Sequence, residues 1–446
     1  MQQLKLNWQK PLDLAQKIAE NYAGDSWVFL YSALSDSVKN STSQIALFAQ
    51  EKIICDDFAQ AEKILKSSDK KWFGYLAYEV GQEFENLPRT KKTVVNLPKI
   101  WLVNFGLVFD FDHEKKELVA SFSDKKYLET VTKWTPSFDG VTTMMGVAPS
   151  VKLVTPSNDG VHFVTPEILN FDSNFTDNSY LAAISKIKKQ IAAGDFYQTN
   201  LTRKFFGEFS KKLSQKDNFT LFTNLTKLSP ANYSSFLKLE ENYIISSSPE
   251  LFLKIENGKI LSRPIKGTAP RSRDLKQDRK NKSELKNSAK ERAENLMIVD
   301  LVRNDLSRIC RAGSVRVKKL FSISSYKNIF HMSSEIHGKL AKNCNAIDAL
   351  KACFPAGSMT GAPKIKAIEV AAELEKLDRG VYSGAVGCFS REEINSSVVI
   401  RTLVLRGQKF EFQVGGAITF DSDEKAELAE IFSKAKGIGE LLGLKF

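Results

Sequence analysis

From about residue 176 onward the chain mixes helical and strand periodicities without repeating a strand–helix–strand unit. That order sets aside the parallel-sheet architectures and points to an α+β fold. The first helix is predicted to open at Thr176 or Asp177, both good caps. Tyr180, Ile184, Ile187 and Ile191 follow at spacings of four, three and four, which makes one apolar face, and Gly194 is placed to end it. Further helical signals fall near 285–308, 361–376 and 423–441. Strand signals fall at Gly194-Asp-Phe-Tyr-Gln-Thr-Asn-Leu, which carries Gln198, at Tyr243-Ile-Ile-Ser, at Val398-Val-Ile-Arg-Thr-Leu-Val-Leu and at Phe410-Glu-Phe-Gln-Val.

Residues 1–135 read as a mixed, strand-rich N-terminal region, with buried strands at Trp27-Val-Phe-Leu-Tyr and Lys71-Trp-Phe-Gly-Tyr-Leu-Ala-Tyr. Residues 136–175, with Pro149, Pro156, Pro166, Gly140 and Gly160, read as a linker-like segment. Residues 176–446 form the third region. Hydrophobic residues make up 42% of the chain, enough for a substantial core. No apolar run approaches the ~20 residues that cross a bilayer, and the N-terminus lacks a signal-peptide layout, so a cytoplasmic protein is expected. The five scattered cysteines fit reduced thiols, and the four histidines make a histidine-based zinc site an unpromising reading.

The formal charge of +12 raises the possibility of a nucleic-acid binder. Its densest basic stretch, Arg271-Ser-Arg-Asp-Leu-Lys-Gln-Asp-Arg-Lys-Asn-Lys, is broken by aspartates and carries no stacking rings. It reads instead as a solvated loop that draws in an anionic substrate.

Two pairs of carboxylates stand out. Glu291 with Glu294, and Glu427 with Glu430, lie three residues apart, so each pair shares one helix face. Brought together they would offer hard oxygen ligands to Mg²⁺. From spacing alone the solvated-helix reading is the stronger one, because such pairs are common on exposed helices and Glu430 with Lys434 is an ordinary i,i+4 pair. Pro355-Ala-Gly-Ser-Met-Thr-Gly-Ala-Pro-Lys precedes a helix, so Gly361 to Lys364 could present backbone N–H groups to an anion. Gly415-Gly416-Ala417 would allow close approach of backbone to a ligand, and Asp421-Ser422 reads as the cap of the last helix. Lys266 sits in a strand-like segment between Pro264 and Pro270. On the residues alone it reads best as a plain surface lysine; enclosed near other cations, its amine would lose its proton more readily and become a nucleophile.

In order along the chain, these segments resemble the chorismate-binding enzyme family. The resemblance rests on Gly194-Asp-Phe-Tyr-Gln, Ser247-Ser-Pro-Glu250, Pro264-Ile-Lys-Gly-Thr, Ala293-Glu-Asn-Leu-Met-Ile-Val-Asp-Leu-Val-Arg-Asn-Asp305, Gly361-Ala-Pro-Lys, Tyr382-Ser-Gly-Ala-Val-Gly, Ile400-Arg-Thr and Gly415-Gly. Gly74-Tyr-Leu-Ala-Tyr-Glu extends it into the N-terminal region. It implies a composite α+β fold like that of anthranilate synthase component I, with two packed antiparallel sheets flanked by helices. It further implies Glu294 and Glu430 as Mg²⁺ ligands, supported by Glu291 and Glu427. Tyr382, Arg401, Lys434, Gly267 and the backbone at Gly415 and Gly416 would bind the substrate. Thr268 and His331 would lie near the reacting ring, and Glu250 would protonate the departing 4-hydroxyl.

Within that family two positions imply the reaction. Water-using members carry a lysine base where this chain has Gln198, and glutamine cannot deprotonate water. Anthranilate synthases have alanine where this chain has Lys266, whereas aminodeoxychorismate synthases have lysine. The resemblance therefore implies amination of chorismate at C4 through a covalent Lys266 intermediate, with ammonia delivered by a separate glutamine amidotransferase subunit. Anthranilate formation is the alternative within the family, and a non-catalytic basic binding protein is the alternative outside it. At the place where many relatives bind tryptophan, the chain reads Phe29-Leu-Tyr-Ser32.

Overall fold

A computed structural model describes residues 1–33, 41–85, 87–88, 90–135, 166–326 and 329–446. Its centre is the long strand Ile100–Asp112. One edge of this strand pairs with Thr42–Cys55 over its whole length. The other edge is shared: Ile100–Val103 pairs with Trp72–Leu76, and Leu107–Asp112 pairs with Glu117–Phe122. Two antiparallel arms leave from here. One runs through Thr42–Cys55, Ser26–Tyr31, Tyr233–Leu239, Asn242–Ser248, Thr402–Arg406 and Lys409–Ile418 to Gln198–Phe209. The other runs through Trp72–Leu76, Ala385–Phe389, Ile394–Val398, Leu251–Glu256 and Lys259–Arg263 to Ile329–Lys339, which also pairs with Ile265–Pro270. The two antiparallel sheets expected of the fold are thus joined by hydrogen bonds through one strand long enough to serve both. The N-terminal and C-terminal regions share these ladders, since Ser26–Tyr31 and Trp72–Leu76 each pair with a strand beyond residue 230.

The helices cover the arms as their apolar faces dictate. Helix Asp177–Ala192 is capped by Thr176, which forms a reciprocal capping box with Ser179. It buries Tyr180, Ile184 and Ile187 in one core with Ile431, Ala435 and Ile438 of the last helix, Glu424–Leu442. Cutting Ile184 or Ile187 back to alanine would cost about 2–5 kcal/mol. Helix Ala289–Ser307 packs Ile298, Val299, Val302 and Leu306 into a second core with Phe252, Leu253 and Ile255. That packing turns the Glu291–Glu294 face toward the strand bearing Lys266.

Three local expectations need correction. The basic stretch is a helix from Leu275 to Asn287, not a loop. Asp274 caps it through Lys276 N, and its Lys, Arg, Gln and Glu residues are good helix formers. It is still solvated, with Leu285 its only buried side chain. The last helix is capped by Asp423, which accepts from Ala426 N at 2.8 Å; Ser422 instead donates to Glu427 at 2.7 Å. Within the linker-like segment, Ile168–Ser173 is a strand paired with Gln198–Phe209, while 136–165 lie outside the described residues. No described helix is long and apolar enough to cross a membrane.

Candidate active site

A cavity of about 240 Å³ opens where the two arms meet the helix pair. Its walls include Lys266, Gly267 and Thr268 from one strand, Glu291 and Glu294 from the helix beside it, and Glu427, Glu430 and Lys434 from the last helix. Glu250, His331, Tyr382, Arg401, Gly415 and Ala417 complete the set that the sequence singled out. Gly416, expected with them, is not among the lining residues. It faces Glu427, and a Cβ there would stand 3.2 Å from Oε2. Gly361 to Lys364 also lie elsewhere. Gly361 and Ala362 pair with Thr199 and Gln198, and the Lys364 ammonium is held by Asp305 at 2.7 Å. Gln198 is buried on its strand and does not line the cavity.

Gly267 shows why the sequence is so particular here. Its φ is +90°, a left-handed conformation glycine adopts freely, and a Cβ would come within 2.8 Å of Glu291 Oε2. Glycine therefore lets the strand press against the glutamate helix and swings Lys266 into the cavity. No hydrogen bond or ion pair to the Lys266 amine occurs among the described residues. Burial, reinforced by Lys434, drives its pKa below the usual lysine range against the pull of Glu294, Glu250 and Glu430. Burial thus shifts the balance toward the neutral amine, the form that is nucleophilic.

Glu250 is 4% exposed, and burial pushes its pKa up to about 7, with Ser358, Lys266 and the Ile265 backbone opposing. A carboxyl of that strength is partly protonated at neutral pH and can donate a proton. His331 is also buried, and neither ring nitrogen has a hydrogen-bond partner. Burial and Arg401 together lower its pKa to about 3, so the ring is neutral. It stands opposite Thr268 in the ladder, with Tyr326 edge-on at 5.0 Å. Arg401 donates to Ser229 at 3.2 Å and holds an uncommon φ of +50°.

The four glutamates are unequal. Burial raises Glu294 to about 7, with the neighbouring Glu291 and Glu427 adding to it, and burial also raises Glu291. Glu430 moves the other way. Burial opposes the shift, but Lys434, which donates at 2.5 Å, outweighs it with help from Lys290 and Lys266. The Lys434 ammonium also donates to Gly415 O at 2.8 Å. Lys290, which no sequence pattern marks, lies 3.6 Å from Glu427 and 3.9 Å from Glu294. Among the described residues no three acidic, histidine or cysteine side chains converge closely enough to ligate one ion unaided. This donor set fits Mg²⁺, which binds through one or two carboxylates and fills its shell with water and substrate oxygens.

Asn200, Ser358, Met359 and Gln413 line the cavity too; they lie in segments marked as strand or turn signals, but nothing in those patterns marks them individually as site residues. They are small or neutral residues whose place depends on long-range strand pairing.

A buried acid, an unpartnered lysine, a forked arginine and paired glutamates around one cavity define an enzyme for a small carboxylated substrate. The chorismate binding enzyme family matches residues 19–440, and the chain belongs to it. Aminodeoxychorismate synthase component 1 of Escherichia coli (strain K12) is 35% identical over 367 residues, covering 82% of this chain and 75% of that one. Anthranilate synthase component 1 of Streptomyces coelicolor is 32% identical over 375 residues, covering 82% and 71%. In three dimensions, anthranilate synthase component I from Streptococcus pneumoniae superposes with a TM-score of 0.74 at 25% identity, covering 90% of this chain and 92% of that one. The protein is thus a chorismate-utilising enzyme with the fold of anthranilate synthase component I.

Proposed function

We propose that the enzyme aminates chorismate at C4, giving 4-amino-4-deoxychorismate, as an aminodeoxychorismate synthase component 1. The observation that carries this reading is the Lys266 amine, without a hydrogen-bond or ion-pair partner among the described residues and lining the same cavity as Glu250 and the glutamate pairs. An enzyme adding ammonia directly at C2 has no use for such a group.

The neutral Lys266 amine attacks C2 of the ring, the double bond shifts, and the C4–O bond breaks. Glu250 supplies the proton with which the hydroxyl leaves as water, and the proton lost by the attacking nitrogen restores Glu250. Ammonia then attacks C4, the double bond returns, and the C2–N bond breaks as Glu250 protonates the departing Lys266 nitrogen; the proton shed by the newly bound nitrogen restores Glu250. The covalent route divides one difficult substitution into two easier ones. Arg401, with its planar fork, and Tyr382 hold the carboxylates of the substrate. Thr268 and the neutral His331 face the reacting ring. Mg²⁺, when bound by Glu294 and Glu430 with Glu291 and Glu427 beside them, supplies the positive charge that draws in the ring carboxylate. Lys290 lies 3.6 Å from Glu427 and Lys434 2.5 Å from Glu430, beside those carboxylates.

Ammonia comes from a separate glutamine amidotransferase subunit, a pairing that the component 1 name of the relatives supports. The product then feeds 4-aminobenzoate and folate synthesis. The five free cysteines fit a cytoplasmic enzyme. Product analysis tests the reading. With chorismate, Mg²⁺ and ammonium salts the chain should yield 4-amino-4-deoxychorismate and no anthranilate fluorescence. Anthranilate as the direct product would overturn it.

A further inference from the structure

Neither the Gly74–Glu79 segment nor Arg379 lines the cavity. Both lie behind its wall, with Glu79 4% and Arg379 2% exposed. The Arg379 guanidinium grips Glu375 with two hydrogen bonds, 2.9 and 2.8 Å long. Its remaining N–H groups donate to Met359 O at 2.7 Å, Asn200 O at 2.8 Å and Ser383 Oγ at 3.4 Å. Met359 and Asn200 line the cavity, and Ser383 follows Tyr382. Glu375 also accepts from Thr202 N at 2.9 Å, and Thr202 stands opposite Gly415 in the ladder. The planar cation thus bonds directly to the walls at Asn200, Met359 and Ser383, and reaches the Gly415 strand through Glu375 and Thr202.

The N-terminal region fixes that cation from behind. The backbone N–H groups of Arg379 and Gly380 donate to the two oxygens of Glu79, at 2.7 and 3.0 Å. The Tyr78 ring lies 4.6 Å beneath the guanidinium. Lysine could not reproduce this geometry, because its ammonium is a point charge without a fork.

We propose that Arg379, anchored by Glu79 and Tyr78, is a positioning residue that sets the spacing of the Asn200, Met359, Tyr382 and Gly415 walls and so determines chorismate affinity. The N-terminal region is then part of the substrate site although none of its described residues lines the cavity. This rests on the reading that the cavity binds chorismate.

Arg379→Lys and Glu79→Gln, each in the full chain, test the role through steady-state loss of chorismate with Mg²⁺ and ammonium salts. Mispositioned walls weaken binding in ground and transition states alike, so KM rises while kcat holds. For Arg379→Lys the expected rise in KM is about tenfold or more, with kcat within about threefold. Glu79→Gln should move KM the same way by a smaller factor, and it carries the test alone if the lysine variant does not fold. A buried pair that only stabilises the fold would lower the active fraction, reducing apparent kcat with KM unchanged, and that result would overturn the proposal. Because chorismate loss is followed, the outcome reads identically whichever carbon is aminated, so a wrong product assignment is distinguishable from a wrong role for Arg379.

Discussion

Glu250→Gln separates what burial does to stability from what it does for chemistry. The carboxyl is raised from 4.5 to about 7 because the charged form is excluded from its buried site. Below about pH 4.5 it is protonated both folded and unfolded, so it does not alter stability. Between about 4.5 and 7 the unfolded chain releases this proton while the folded chain retains it. Stability therefore falls as pH rises through that window, by about 1.4 kcal/mol per unit. Above pH 7 the full cost, about 3 kcal/mol, is in place. The amide keeps an oxygen acceptor for Ser358 and cannot ionise. From pH 5 to pH 8 the wild type should thus lose about 2.5 kcal/mol more than the variant, measured by urea unfolding at both pH values. Glu294 and Glu79, also raised to about 7, titrate in both proteins and cancel in the comparison. Turnover should fall by about 10²–10⁴, the usual contribution of a general acid. A variant within threefold of wild-type turnover, or one with the same pH dependence of stability, would refute the assignment.

Lys266→Ala should lose aminodeoxychorismate formation by about a hundredfold or more while its chorismate Kd stays within about threefold, because the amine acts in the covalent step. Equilibrium titration beside turnover checks this. Chelation with EDTA should abolish turnover, and Glu294→Gln should raise the Mg²⁺ needed for half-maximal binding by about 10–100-fold, as read by calorimetry. The purified chain should use ammonium salts but not glutamine, and glutamine should support turnover only once the amidotransferase subunit is added. Glutamine-driven turnover by the lone chain would contradict this.

Local features were the most legible. The helix from Asp177 and its cap follow from Thr176 and the Tyr180–Ile191 spacing, because both depend on residues within a few turns. Motifs of the catalytic strands, such as Pro264-Ile-Lys-Gly-Thr, mark residues that the structure brings into one cavity. Convergence itself was not legible. Glu291 and Glu294 read alike as a metal pair or a solvated pair until Gly267 is seen pressed against their helix. The basic segment at Leu275–Asn287 shows that charge signals solvent exposure but not irregularity, since Lys, Arg, Gln and Glu are good helix formers on an exposed face. The continuity of the two arms depends on one thirteen-residue strand dividing an edge between two partners. The Arg379 clamp escaped notice because it consists largely of backbone carbonyls, which no residue pattern announces.

The central claim is a bond between the Lys266 nitrogen and a ring carbon. Peptide mass spectrometry of enzyme incubated with chorismate and Mg²⁺, without ammonia, addresses it directly. The account predicts that the Lys266 peptide gains the mass of chorismate less one water, and that adding ammonium salts discharges it. An unmodified Lys266 peptide, from enzyme that still aminates chorismate at C4 when ammonia is supplied, would contradict it.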